Sequence, residues 1–424
     1  MNYSPKEGQY DVVPEYHKYL TFLKKVYRHE FRTNGFRRVS TPIIEEKTFL
    51  QESGVYQSPI LEHEDFDIRQ EASSGIFRLY MNNEMSEQIQ PVYLYYIDRF
   101  FKKTKNNFKE ENIIGGEVIG VDDPILDAIM ISMNYKIFNN IGLQDKFTLK
   151  INSTGIAKEK AKFEEELKNF YEPKKNVLSE DSKQLLETNP SSILASTDED
   201  DIILNENAPK MVPKFLKKYS KAHFNSFVEY LDILEIPYEI DNSLVAENSA
   251  QTHSIWKFIS KIDGRILSQG SRKNALSTNL GLKKEIPSSG FSTNMDQLIE
   301  FLQEQEIDIK DKDEIHLFIT QLGDEAKKVI LPLSIEARKR GLNTVVALGT
   351  PSMKEQMLKA QKSGAAYVVM VGIMEARSGV FQVRNQADGT QQEVKKEELI
   401  DYIIQKIGEE NLDFYAPVKD LLHN

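Results

Sequence analysis

The densest run of chemistry-capable side chains lies between positions 99 and 109. Arg99, Lys102, Lys103, Lys105 and Lys109 are interleaved there with Phe100, Phe101 and Phe108. Cations at that density neutralise phosphates, and rings between them can stack on bases, so the stretch reads as a nucleic-acid contact. A solvated loop whose rings turn into the core would carry the same pattern. Lys354, Lys359 and Lys362, followed by Arg377 and Arg384, form a second basic group. On a helix and a neighbouring hairpin they would either face water or hold a nucleic-acid stem. The overall balance opposes non-specific binding. With 54 Lys and Arg against 65 Asp and Glu the formal charge is −11, so affinity for a polyanion has to come from local patches.

Other chemistries are closed off. There is no cysteine, which removes disulfides, thiolate zinc sites and cysteine nucleophiles. None of the seven histidines stands at HxxxH spacing, so no metal site is expected. A lone histidine such as His253 is more often structural than a catalytic base. The acidic run Asp198–Asp201 lacks the glycine turn of a calcium loop and reads as an exposed entry to a helix.

The elements that would position these groups follow from the hydrophobic spacing. A chain of 424 residues is too long for one ordinary core, so two or more domains are expected. Tyr16–Asn34 has the three- and four-residue spacing of an amphipathic helix, ended by Gly35. The segment 92–101 and its partner 113–120 read as strands, joined by the polar stretch KKTKNNFKEEN as a long exposed loop. Residues 124–141 return to helical spacing. An inserted helical region should occupy about 156–240. From Glu314 strands and helices alternate: IHLFIT, a helix from Glu325 to Arg340 kinked at Pro332, NTVVAL, a helix capped by Ser352, AYVVMVG, a hairpin turning at Asp388-Gly389, and a closing helix. The domain boundary should fall near Ile307–Asp313, which gives domains 1–308 and 314–424. No stretch approaches the roughly 20 apolar residues that span a bilayer. The opening MNYSPKEGQYDVVPEY lacks the pattern of a signal peptide. A cytoplasmic chain without a membrane partner is the expectation.

Set in order, these segments resemble the histidyl-tRNA synthetase family over nearly the whole chain. GQYDVVP is similar to the family's opening GxxDxxP. GFRRVSTPIIEEKTF resembles class II motif 1. QPVYLYYIDRFF with GGEVIGVDDPILDA resembles motif 2. GFSTNMDQL sits where motif 3 belongs. LGDEAKKV, ARKRGLNTVV and MEARSGVFQVRN look like its anticodon-binding domain. The resemblance implies an α+β fold: a class II antiparallel sheet flanked by helices, with a helical insertion, then an α/β domain. It also implies tRNA rather than DNA as the partner, and a homodimer through the apolar face of Tyr16–Thr41.

The family joins ATP to an amino acid and passes the acyl group to tRNA. Charge develops on a phosphate, so preorganised cations are needed beside it. The resemblance places the motif 2 arginine at Lys102, within FKKT, and the motif 3 arginine at Gln297. It places the glutamate of the LRPE element at Asn82, within LYMN. The histidine-binding RGLDYYT becomes AENSAQT, with Ala246 at its arginine. GGGRYD becomes QGSRKN, which keeps Arg272. These changes remove charge at the reaction centre, while scaffold positions such as Gly35, Pro42, Glu117, Gly290 and Phe291 are retained. Asn82, Lys102, Ala246, Arg272 and Gln297 therefore read as a vestigial ATP and amino-acid site with no catalytic residue. The expectation is a non-catalytic relative that holds tRNA or a protein partner, through Lys102, Lys103, Lys105 and Lys109 and through Lys354, Lys359, Arg377 and Arg384. It would need no cofactor. The alternative is a working ligase for histidine or another amino acid, using ATP and Mg2+.

Overall fold

The computed structural model describes residues 4–5, 8–56, 58–104, 107–212, 214–309, 314–350 and 352–412. The chain divides into two compact units, Met1–Ile309 and Lys310–Asn424.

In the first unit the strands are, in chain order, β1 (Arg37–Arg38), β2 (Ile44–Glu46), β3 (Phe66–Ile68), β4 (Val92–Lys103), β5 (Phe108–Ile119), β6 (Phe147–Ser153), β7 (Glu239–Ile240), β8 (Thr252–Ser260), β9 (Ile266–Arg272) and β10 (Ser288–Asn294). Eight of them form one sheet in the order β1-β4-β5-β10-β9-β8-β6-β7. Its six central strands are all antiparallel to their neighbours, and only the short edge strands β1 and β7 pair in parallel. β2 and β3 make a separate two-stranded ribbon.

The N-terminal helix, Pro14–Thr33, opens with proline in its first turn, where the missing N–H costs nothing. Its apolar stripe, Tyr19, Leu20, Leu23, Tyr27 and Phe31, is buried in the unit's own core. Phe31 stacks on Tyr95 at 4.9 Å and on Phe291 at 5.6 Å. This corrects the expectation that the stripe serves a dimer contact, because the sheet already consumes it. The exposed large apolar residues of the motif 1 stretch are Ile43 and Ile44, with Phe66 on the paired strand.

The β4–β5 hairpin is also longer than the sequence implies. The ladder runs on to Lys102 opposite Lys109 and Lys103 opposite Phe108, so most of the stretch read as a loop is strand. Phe101 and Phe108 close it edge to face at 5.8 Å, a cross-strand aromatic pair of the kind that extends ladders. Between β6 and β7 lie the helices Ala157–Tyr171, Glu180–Thr188, Glu199–Asn205 and Lys218–Ile233. Here the acidic run is only partly solvated. Asp201 is buried and accepts hydrogen bonds from the hydroxyls of Ser179, Ser182 and Ser196 at 2.7, 2.6 and 2.7 Å.

The second unit holds β11 (Leu317–Gln321), β12 (Thr344–Val346), β13 (Tyr367–Val371), β14 (Val380–Asn385) and β15 (Gln391–Lys395) in the order β12-β11-β13-β14-β15. The first three are parallel and the last two antiparallel. The helix Asp324–Lys339 runs through Pro332, and Met353–Lys362 is capped by the Ser352 hydroxyl. The fold is thus mixed α and β, with a large antiparallel sheet in one unit and a small mixed sheet in the other.

Candidate active site

The pleat of the large sheet decides which side chains meet. Trp256, Gly270, Phe291, Gly116 and Tyr95 form one row across β8, β9, β10, β5 and β4. That row faces the helices and is packed with rings. A Cβ on Gly116 would come within 2.6 Å of Phe31, and one on Gly270 would run into the Trp256 indole. The next row, Lys257, Gln269, Ser292, Gly115 and Tyr96, faces the other way. So does the row on the far side, Ile255, Ser271, Gly290, Glu117 and Leu94. These two rows floor a cleft of about 170 Å³.

Glutamate–lysine pairs dominate the cleft. Glu117 is almost fully buried and accepts from Ser73 Oγ at 2.6 Å and from Lys273 Nζ at 2.9 Å. Gly290 makes room for it, since a Cβ there would run into the Glu117 carboxylate. Lys257 donates to Glu247 at 2.7 Å, and Lys102 pairs with Glu111 at 3.1 Å. Glu71 stands at the start of the helix Ser73–Asn82 and accepts from the Ser74 N–H at 3.0 Å and from the Ser73 N–H, where the positive end of the helix favours an anion. Burial, then the Glu117 and Glu71 charges, hold the Tyr96 phenol well above its ordinary range. Gln251 donates to Ser271 Oγ at 3.1 Å. The cations lining the cleft are Lys102, Lys257 and Lys273, and no arginine is among the described residues that line it.

Of the five residues read as a vestigial site, the structure puts only Lys102 in this cleft. Arg272 is fully buried on the opposite face. It donates to Asp127 at 2.8 Å, to Asp122 at 3.3 Å and to the Val121 and Asp123 carbonyls. Its strand neighbour Lys273 takes the cleft side, because successive residues of a strand point to opposite faces. Asn82 ends its helix exposed and away from the cleft. Glu71, not Asn82, brings a carboxylate to the cleft. Ile68-Arg69-Gln70-Glu71 fits the LRPE pattern better than Leu79-Asn82, and the sequence alone holds that signal. Ala246 is buried beside a separate void of about 20 Å³ with Asn152, Thr154 and Asn242. Gln297 is half-buried in the first turn of Met295–Glu304, its backbone N–H capped by Asn294 Oδ1 at 3.1 Å, and it does not line the cavity.

The basic groups are dispersed as well. On the hairpin, Lys102 and Lys109 both reach Glu111, at 3.1 and 3.8 Å. Lys103 lies beyond the cleft, and Lys105 is outside the described residues. In the second unit Lys354 and Arg384 line a groove of about 1300 Å³. Lys359 turns to the Thr350 hydroxyl. Arg377 is held by Glu325 through two bonds of 2.7 and 2.9 Å. The four therefore do not form one surface.

His253 is not near a reacting position. It is buried on the helix side of the sheet, with a left-handed φ of 49°, and its ring stacks on His223 at 4.6 Å. His223 Nε2 is 4.0 Å from Asp127, the carboxylate that also holds Arg272. Among the described residues no group of three or more His, Asp or Glu side chains could hold a metal ion, and no helix is long and apolar enough to cross a membrane.

An antiparallel sheet with a glycine-relieved cleft on one face, followed by a small α/β unit, is the architecture of a class II aminoacyl-tRNA synthetase. A family profile described as an anticodon binding domain matches residues 316–406. The histidine–tRNA ligase of Acholeplasma laidlawii is 27% identical over 95% of this chain and 99% of its own. That of Halothermothrix orenii is 28% identical, with the same coverage. The apo S. aureus histidyl-tRNA synthetase superposes with a TM-score of 0.79 at 25% identity, covering 95% of this chain and all of its own. Over nearly its whole length the chain is similar to histidyl-tRNA synthetases.

Proposed function

We propose that this protein is a histidyl-tRNA synthetase relative that has lost ligase activity and holds tRNA. One observation carries the reading. The cleft contains no arginine among its described lining residues, and each lysine that enters it is paired with a glutamate. Adenylate formation needs cations that are free to meet a phosphate. Lysines already neutralised by carboxylates, and lacking the planar fork of arginine, supply that poorly. Loss of one transition-state donor costs roughly a hundred- to a thousand-fold in rate, and the family's motif 2 and motif 3 arginines are both replaced. ATP–pyrophosphate exchange across all amino acids tests this directly. We expect none above background, and robust exchange with histidine overturns the reading.

A second reading, a working ligase with a divergent site, has its own support. Glu71 keeps a carboxylate in the cleft where Asn82 implied none, and Lys102 is half-exposed there. It would require ATP and Mg2+, the ion being held by one or two carboxylates and the phosphates. If weak exchange appears, Lys102→Ala should abolish it.

The family likeness also supports a homodimer, and the exposed Ile43, Ile44 and Phe66 offer an apolar surface for it. Self-complementary two-fold contacts are the commonest solution for such a surface. Sedimentation at micromolar concentration should give a dimer. A monomer throughout would leave those side chains to a different protein partner.

A further inference from the structure

Cations gathered from separate elements with few carboxylates beside them are the feature of interest in this acidic protein. Lys24 and Arg28 are four residues apart on the N-terminal helix and therefore share a face. Arg38 lies on β1 opposite Tyr95 of β4. Tyr95 and Arg99 are on the helix-backed side of β4, since Tyr95 stacks on Phe31 and positions two apart share a face. Three elements thus bring Lys24, Arg28, Arg38 and Arg99 together at the β1 edge of the sheet, on the side away from the cleft. Burial first, then Arg99, Arg38 and Arg28, hold Lys24 below the usual lysine range, against an opposing pull from Asp296. Arg99 has Glu110 at 2.5 Å. Among the described residues no carboxylate lies within ion-pair distance of Lys24, Arg28 or Arg38.

We propose that this back-edge cluster, Lys24, Arg28, Arg38 and Arg99, is an RNA-phosphate contact surface, separate from the hairpin and from the second unit. Glu110 pairs with Arg99 and Asp296 acts on Lys24, yet four cations gathered against so few counter-charges raise the energy of the free protein, and a polyanion relieves that cost on binding. Guanidinium groups suit phosphate because their fork donates in pairs. The hairpin lysines are weaker candidates, since Glu111 takes up both Lys102 and Lys109. The proposal extends the tRNA-holding reading and rests on it only in that the chain binds RNA at all.

The test is fluorescence polarisation with a labelled tRNA transcript over a salt series. Arg28→Glu with Arg38→Glu changes two exposed side chains outside the core. It should weaken binding at least about tenfold at low salt. It should also flatten the plot of log affinity against log salt by about 1 to 2, at roughly 0.7 to 0.9 for each phosphate the chain no longer neutralises. The neutral pair Arg28→Gln with Arg38→Gln should flatten the slope by the same amount with a smaller drop in affinity. If the native chain binds RNA and neither pair alters affinity or slope, the proposal is wrong while RNA binding stands. If the native chain binds no RNA at low salt, the broader reading fails with it. A stronger weakening towards polyglutamate than towards RNA assigns the surface to an acidic protein and overturns the RNA assignment.

Discussion

The two faces of the large sheet have kept different things. On the helix-backed face the packing is complete: Phe31, Tyr95 and Phe291 stack, Trp256 lies over Gly270, and Arg272 is locked to Asp127. The cleft face is lined by Gly290, Ser271 and Ser292, with charges that pair among themselves. Adjacent residues show the contrast best. Arg272 turns inward and is fully buried, whereas Lys273 turns into the cleft and is held by Glu117. The first face specifies a fold, and any loss there is felt throughout the unit. The second specifies a reaction, and it can change while the fold stands. That asymmetry lets a cleft vary while an architecture like that of a histidyl-tRNA synthetase stands.

The sharpest way to break the comparison is at that adjacent pair. Arg272→Ala leaves the fully buried Asp127 without its cation, with Ser289 Oγ still donating at 2.7 Å, and removing one partner of a buried ion pair typically costs about 3–5 kcal/mol. Lys273→Ala leaves Glu117 bordering a cavity with Ser73 still donating to it, and should cost clearly less. Urea unfolding of both variants measures the difference, and equal losses would mean that the two faces are equally structural. Next in size, Gly270→Ala pushes a methyl into the Trp256 ring and towards the Gly290 carbonyl at 2.7 Å. Overpacking of this kind costs about 1–3 kcal/mol, read as a lower unfolding midpoint at an unchanged m-value.

The histidine pair behind the sheet gives a pH-dependent form of the same contrast. Burial, more than any nearby charge, lowers the His223 imidazole from 6.5 to about 4, and it lowers His253 too. The folded state then resists protonation that the unfolded chain accepts. Stability should be flat above about pH 6.5 and fall as pH drops from there towards 4, by on the order of 1–3 kcal/mol. His223→Phe should flatten this part of the profile in thermal melts across the range. An unaltered profile would place the acid sensitivity elsewhere.

What is legible in the sequence follows the same division. The helices, the motif 2 hairpin and the α/β alternation after Glu314 come from periodicity and caps, which are local. The choice of face is not local. The string QGSRKN marks a strand, but whether Arg272 or Lys273 enters the cleft depends on where β9 lies between β10 and β8. The assignment of Asn82 rests on Leu79-Asn82, although Arg69 and Glu71 preserve more of the pattern; with Gln70 in place of its proline, the better match is hidden. The hairpin reads too short because its lysines look like loop residues, while their backbones continue the ladder. The back-edge cluster is invisible in one dimension, since Lys24, Arg38 and Arg99 come from three separate segments.

The smallest effect is expected in the second unit, where the basic residues are spread out. Arg377 already commits both arms of its guanidinium to Glu325, and an exposed, screened pair of this kind contributes little on its own. Lys354 and Arg384 differ from it, because both border the groove, and Arg384 Nε is buried with no hydrogen-bond partner. A buried donor without an acceptor is costly in the free protein, and an anionic ligand in the groove would relieve it. Arg377→Ala should therefore leave tRNA affinity within about twofold of native, whereas Lys354→Ala with Arg384→Ala should weaken it several-fold and reduce the salt slope by about 1. The same polarisation titration reads both. A larger effect from Arg377→Ala than from the groove pair would mean that the ion pair opens on binding, and that the outer face of Ile373–Ser378, not the groove, carries the RNA contact of this unit.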